Sequence, residues 1–359
     1  MEQTTKACST CPYTKNIEEF YLHKQKSGKY TRVASCKECH RKDSVARTNT
    51  LNGFLIKLLN TAKANAKRRT DDGRDVAGEF SITLKDLQEM YKKQEGKCYY
   101  SSLPMSSKIL SDYMMSLERL DPSKGYTKEN IALICSEFQS ACQWTKEKYK
   151  EFTNLIMYDS PPNVVSFELS NEPIKERVTV EQSIINGEAF VKCNKCSEVK
   201  PIKDFNKCLR SDCIQCREEA NKIYRTTPRG SLSILQGHAK ARCKKKSNNG
   251  RDMKFEIDFD FLVELFHKQK GLCAYSGIPL TFGSHHEIYW TTSLERINPL
   301  MGYTKENVCF IIYELNVTDN TARAKEIENV GGTSTWSKAK IEFLKTHIKN
   351  LQFIQYTIS

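Results

Sequence analysis

Apolar residues recur at helical spacing over Gly53–Arg69, where Phe54, Leu55, Leu58, Leu59, Ala62 and Ala66 share one side of a basic segment. A counterpart is predicted over Ser231–Lys246. Second helices are expected over Leu84–Gln94 and Phe259–Gln269, ending at Gly96 and Gly271. Each leads into a short turn, Cys98-Tyr99-Tyr100-Ser101 or Cys273-Ala274-Tyr275-Ser276. A strand closing on Leu-Glu-Arg follows, then a Gly-Tyr loop and an unbroken apolar strand, Ile131–Cys135 or Val308–Ile312. A last helix carries Trp144-Thr145-Lys146 or Trp336-Ser337-Lys338. The fold class is α+β.

The same order of parts occurs twice because the sequence itself repeats. Ser116-Leu117-Glu118-Arg119 and Gly125-Tyr126-Thr127-Lys128-Glu129-Asn130 return 177 positions later as Ser293-Leu294-Glu295-Arg296 and Gly302-Tyr303-Thr304-Lys305-Glu306-Asn307. Ala62-Lys63-Ala64, Cys36 and Cys39 recur at the same offset. A period this long is a duplicated domain and not a solenoid, whose units run about 20–50 residues. The expected organisation is a first repeat over 1–158, a polar linker over 159–188 opening at Asp159-Ser160-Pro161-Pro162-Asn163, and a second repeat over 189–359. The second repeat carries about 15 extra residues before Trp336, Gly331-Gly332 among them.

Charge then narrows the partners. With 56 Lys+Arg against 43 Asp+Glu, the net charge of +13 points to a polyanion, nucleic acid before membrane. The apolar runs are far too short for a membrane span, and the N-terminus lacks the apolar core of a signal peptide. Fifteen cysteines are therefore expected in a reducing, intracellular compartment, where metal ligation is the commoner use; whether that compartment is nucleus or cytoplasm stays open.

Eight of those cysteines form Cys-x-x-Cys pairs: Cys8/Cys11 with Cys36/Cys39, and Cys193/Cys196 with Cys213/Cys216. Thiolates three residues apart on a tight turn hold a tetrahedral zinc together with a second such pair. Two structural zinc ions per chain are expected, one in each repeat. Cys98 and Cys135 alone cannot complete a further site, since Ser101 and Ser276 stand where another ligand would be needed.

The second repeated block carries the candidate chemistry. A carboxylate closing one strand (Glu118; Glu295) precedes a loop, an Asn entering the next strand (Asn130; Asn307), and a carboxamide nine residues on (Gln139; Asn316). One acidic and one amide oxygen so arranged suit a hard cation such as Mg²⁺ or Mn²⁺ at a phosphodiester. The plain alternative is a surface Glu–Arg ion pair contributing under about 1 kcal/mol.

The combination of paired Cys-x-x-Cys, a helix, Cys-x-Tyr-Ser, an acidic-Arg strand end, Gly-Tyr-x-x-x-Asn and a later Asn or Gln resembles the zinc-knuckle members of the HNH (His-Me finger, ββα-metal) endonucleases. The resemblance covers most of both halves. It implies two tandem treble-clef-like, zinc-braced domains, each with a ββα-metal core. It also implies Mg²⁺ or Mn²⁺ on Glu118 with Gln139 and on Glu295 with Asn316, and Asn130 and Asn307 as braces of the hairpin. The usual general-base His after the acidic residue is replaced by Arg119 and Arg296, which stay protonated at neutral pH and suit phosphate neutralisation instead. Some relatives with this acidic-Arg pair use a Tyr of the preceding helix, which maps onto Tyr91; the second half has Phe266 there, with His267 beside it, and His285 and His286 in the loop before Glu295. Core aromatics are the rival assignment for Tyr91 and Phe266, and solvated loop residues for His285 and His286.

Basic rows complete the pattern: Lys63, Lys67, Arg68 and Arg69 in the first half, and Lys240, Arg242, Lys244, Lys245 and Lys246 in the second. Such rows contact phosphates without reading sequence. Two like domains on one chain mimic a two-fold dimer on double-stranded DNA, so a monomer with internal pseudo-symmetry is expected. The leading function is a metal-dependent DNA endonuclease; the alternatives are a decayed relative that binds DNA without cutting it and an RNA-binding zinc protein.

Overall fold

The computed structural model of the chain describes residues 5–25, 27–139, 142–158, 182–185, 187–205, 211–248, 253–316 and 336–358, with backbone alone for 246–248 and 352–358. The structure mixes helix and sheet, and the chain divides into two compact units, Met1–Gln139 and Ser140–Ser359.

In the first unit two short antiparallel pairs, β1 (Thr5–Ala7) with β2 (Thr14–Asn16) and β3 (Leu22–Lys24) with β4 (Tyr30–Arg32), shape the turns that carry the early cysteines. Helix α1 (Lys37–Thr48) starts directly after Cys36. Helix α2 (Leu51–Asp71) is capped by the Thr50 hydroxyl, which accepts from the Gly53 amide, and it buries Phe54, Leu55, Ala62 and Ala66. After a single turn, α3 (Asp75–Gly78), helix α4 (Leu84–Lys93) opens on a reciprocal capping box between Thr83 and Asp86. The hairpin of β5 (Met115–Arg119) and β6 (Ile131–Cys135) pairs Glu118 with Ala132, and a 3₁₀ turn over Ser136–Phe138 follows. Every residue of β6 is buried, with α4 packed against it, which accounts for the unbroken apolar run in the sequence.

The second unit begins with α5 (Lys146–Met157) and a three-stranded antiparallel sheet of β7 (Gln182–Ile185), β8 (Glu188–Lys192) and β9 (Val199–Pro201). Helices α6 (Ile214–Thr226), α7 (Pro228–Asn248) and α8 (Phe259–Lys268) lead to the hairpin of β10 (Thr292–Arg296) and β11 (Val308–Ile312), which pairs Glu295 with Cys309. A 3₁₀ turn over Tyr313–Leu315 follows, and α9 (Lys338–Ile358) packs against α5.

The two units make matching bonds at matching positions. The Gln94 carboxamide spans β6, donating to Leu133 O at 2.8 Å and accepting from Leu133 N at 3.0 Å. Gln269 does the same to Phe310 at 2.9 and 2.8 Å. A Cβ on Gly125 would collide with the Glu79 carbonyl, and one on Gly302 with the Lys254 carbonyl, so both Gly-Tyr loops need glycine for close backbone approach.

Three features differ from the sequence reading. Helices α1 and α6 were not foreseen: each buries one residue, Cys39 or Cys216, so neither shows an apolar stripe. The last helices start after their tryptophans, because the Thr145 hydroxyl caps α5 by accepting from the Lys148 amide and Trp144 turns into the core instead. Of the polar segment 159–188, residues 182–185 form β7 and Glu188 opens β8. Residues 159–181 and the Gly331-Gly332 insertion lie outside the described residues.

Candidate functional site

The four sulfurs of Cys8, Cys11, Cys36 and Cys39 lie within 4.8 Å of one another, as do those of Cys193, Cys196, Cys213 and Cys216. A tetrahedral zinc with bonds of about 2.3 Å sets its sulfurs about 3.8 Å apart, so both clusters fit the ion. Backbone geometry prepares them alike. Cys8 Sγ accepts from the Cys36 amide at 3.2 Å and the Thr10 amide at 3.4 Å; Cys193 Sγ accepts from Cys213 at 3.3 Å and Lys195 at 3.4 Å. The Cys36 amide bond holds the Cys8 thiol down to about 6, while sulfur neighbours led by Cys36 push Cys39 up to about 12. The first cluster packs with one buried ring, Phe20, and the second with Phe205 and Val191. None of the described cysteines forms a disulfide.

In the first unit the hairpin brings Glu118 and Gln139 together. Gln139 Nε2 donates to Glu118 Oε2 at 2.6 Å, and its Oε1 accepts from the Ser116 hydroxyl at 2.7 Å. Glu118 is buried and Gln139 exposed, so the pair sits at the mouth of the hairpin. Arg119 does not point to open solvent: its Nη1 donates to Pro122 O and Lys124 O, both at 2.7 Å, and its guanidinium lies 5.7 Å from the Tyr126 ring centre. Burial and the neighbouring Arg69 weaken its hold on its proton. Asn130 staples the same loop, accepting from Asp121 N at 2.8 Å and donating to Asp121 O at 3.0 Å and Gly125 O at 2.8 Å.

The second unit repeats the staple and alters the mouth. Asn307 accepts from Asn298 N at 2.8 Å and donates to Asn298 O and Gly302 O, while Arg296 donates to Pro299 O at 2.8 Å and Met301 O at 3.1 Å. Asn316, one methylene shorter than Gln139, donates to Ser293 Oγ at 2.9 Å and Leu294 O at 3.3 Å. Glu295 is buried, and its charge joins burial in pushing up the Tyr275 hydroxyl and the Cys309 thiol, the latter to about 12.

The other candidates sit on α4, on α8 and in the loop before β10. Tyr91 lays its hydroxyl end against Gly96 at the end of α4. Phe266 is a core ring between Phe282 and Phe310, with centroids at 5.2 and 6.1 Å. His267 is exposed on α8. The His285 ring stacks on Tyr313 at 4.0 Å, and burial lowers its affinity for a proton.

Of the basic rows, Lys63, Lys67, Arg68, Lys240, Arg242, Lys244 and Lys245 are exposed, and the Lys246 side chain lies outside the described residues. Arg69 is half-buried, 5.5 Å from the Tyr126 ring centre. Arg242 donates to the Tyr303 hydroxyl at 3.4 Å. Tyr126 and Tyr303 thus join the basic helix to the arginine at the strand end, a role the Gly-Tyr repeat could have signalled and the sequence reading missed. The repeated lysine has a local task in both units: Lys128 pairs with Asp86 on α4, and Lys305 lies 5.5 Å from the Phe261 ring centre on α8.

No family model, no curated protein and no solved structure matches this chain. Among the described residues no helix is long and apolar enough to cross a membrane.

Proposed function

We propose that this chain is a zinc-braced DNA-binding protein of HNH-like, tandemly duplicated ββα-metal architecture that cuts duplex DNA with a divalent cation. The observation carrying this reading is the Glu118–Gln139 pair: two side chains 21 positions apart meet at 2.6 Å at the end of a stapled hairpin. A half-turn of the amide would set its oxygen against the Glu118 carboxylate and leave its nitrogen facing the Ser116 hydroxyl. Two oxygens that close would suit a hard divalent cation such as Mg²⁺.

In this reading Glu118 with Gln139, and Glu295 with Asn316, hold the cation, which supplies charge stabilisation at the phosphodiester. Arg119 and Arg296 keep each strand end and Gly-Tyr loop in register, and Tyr91 or a histidine of the second half handles the attacking oxygen's proton. The exposed lysines and arginines of α2 and α7 hold phosphates. A second reading, a DNA binder without cleavage, is favoured by one observation. Both site arginines are spent on carbonyls of their own loops, at 2.7 Å for Arg119 and 2.8–3.1 Å for Arg296.

Plasmid cleavage with Mg²⁺ or Mn²⁺, comparing the parent with Glu118→Ala and Glu295→Ala, decides between them. Metal-dependent cutting lost in either variant supports the nuclease. Zinc-loaded protein that shifts duplex DNA and never cuts it supports the binder.

A further inference from the structure

We propose that a cleft in the second unit receives an unpaired nucleic-acid strand. The cleft measures about 1070 Å³, at the top of the ~300–1,000 Å³ usual for ligand pockets. Helix α6 lends it Lys222 and Arg225, and α7 lends His238 and Arg242. The cleft is also lined by Phe282 and by Tyr313, which ends a column of rings with His285 and His286, successive centroids 4.0 Å apart, that a base would extend. Cations that track a backbone beside aromatic faces that stack bases are the two components of single-strand sites, and paired bases in a duplex present no free faces to such rings. Glu218 and Glu287 also line the cleft, so its attraction for phosphate is local to the α6–α7 wall. The floor reaches Ser293 and Leu294, the two residues before Glu295.

The first unit builds the same place differently. Where the second half has Lys222, Arg225 and Arg242, the first has Val45, Thr48 and Asn65. Ser231, on the cleft wall, stands where the first unit has the buried Phe54. The first unit's loop is also drawn onto the α1–α2 junction, with Ile109 N donating to Asn49 Oδ1 at 2.9 Å. Single-strand binding therefore belongs to the second unit.

The inference shares with the proposed function only its nucleic-acid partner, not the cleavage step. The test is fluorescence anisotropy with the full-length, zinc-loaded chain, using a short labelled oligo-dT and a duplex of equal length. Ser231→Phe, which imports the first unit's ring, and the surface double variant Lys222→Ala/Arg225→Ala should each weaken oligo-dT binding at least about tenfold while duplex binding and zinc content hold. Oligo-dT binding unchanged in the surface double variant overturns the proposal whether or not Ser231→Phe folds, as does a parent that binds only duplex. Cleft-dependent oligo-dT binding by a protein that never cuts plasmid leaves this inference standing and removes the nuclease reading; cutting without oligo-dT binding does the reverse.

Discussion

Lys148 and Glu314 offer the sharpest test of how the second unit is held together. Lys148 Nζ on α5 lies 2.9 Å from Glu314 Oε1, with the two side chains 3% and 0% exposed. The ammonium also sits 4.3 Å from the Tyr289 ring centre and 5.7 Å from those of Trp144 and Trp290. Glu314 Oε1 accepts from the Trp290 amide at 3.3 Å as well. Lys148→Met keeps most of the stem volume and removes the charge, stranding a carboxylate that has no exposure. Breaking a buried pair from one side costs about 3–5 kcal/mol. That is a fifth or more of the ~5–15 kcal/mol by which domains are stable, and for a unit of this size it lowers Tm by about 6–20 °C. Lys148→Met/Glu314→Gln removes both charges and should recover most of the loss. All three tryptophans, Trp144, Trp290 and Trp336, belong to Ser140–Ser359, so intrinsic fluorescence in a urea titration reads this unit selectively. A Lys148→Met variant within about 0.5 kcal/mol of the parent, or a double variant no better than the single, would refute the argument.

Metal analysis of the purified chain should give two equivalents of zinc, falling to one in Cys39→Ser or Cys216→Ser. Chelation should lower helical circular dichroism, because α1 and α6 each start at a cysteine of a cluster whose core holds only one or two apolar side chains besides the cysteines. Asp86 should set an acid limit on the first unit. The Lys128 ammonium, with the Thr83 hydroxyl and amide, holds its carboxyl at about 2, below the ordinary 3.8. A depressed folded-state value stabilises the fold above about pH 4, and that support is lost as pH falls towards 2. In acid titrations of thermal stability, Asp86→Asn should therefore be less stable than the parent near neutrality and show a shallower decline between pH 4 and 2.

Short-range geometry was legible in the sequence, and long-range packing was not. A Cys-x-x-Cys turn dictates its own sulfur spacing, so the two thiolate clusters follow from the chain alone. The β6 and β11 runs are fully buried, and burial leaves a compositional mark that needs no partner to be recognised. Helices α1 and α6 were hidden because their stability comes from the cluster at their N-termini and not from an apolar face. Lys128 and Lys305 recur within the Gly-Tyr block with no task legible in the sequence, because their partners, Asp86 and the Phe261 ring, lie about 40 positions away where no local pattern links them. Placing Lys148 beside Glu314 is harder still, since the pairing depends on where a whole helix docks. The cleft was invisible for a related reason: it arises from differences such as Ser231 in place of Phe54, each of which reads singly as an isolated exchange.

Gly125 and Gly302 bear on how the two halves are able to diverge. At most positions a changed side chain can be absorbed by its neighbours, as at the corresponding positions Phe54 and Ser231. At these two glycines the obstacle is a backbone carbonyl, of Glu79 or Lys254, which cannot rotate out of the way without undoing the bridge from that segment to the adjacent tyrosine. Drift is thus channelled: a saturation library should tolerate only glycine at both positions while accepting wide variety along the cleft. The halves can acquire separate tasks on their outer walls while the loop behind each Glu-Arg strand end stays alike.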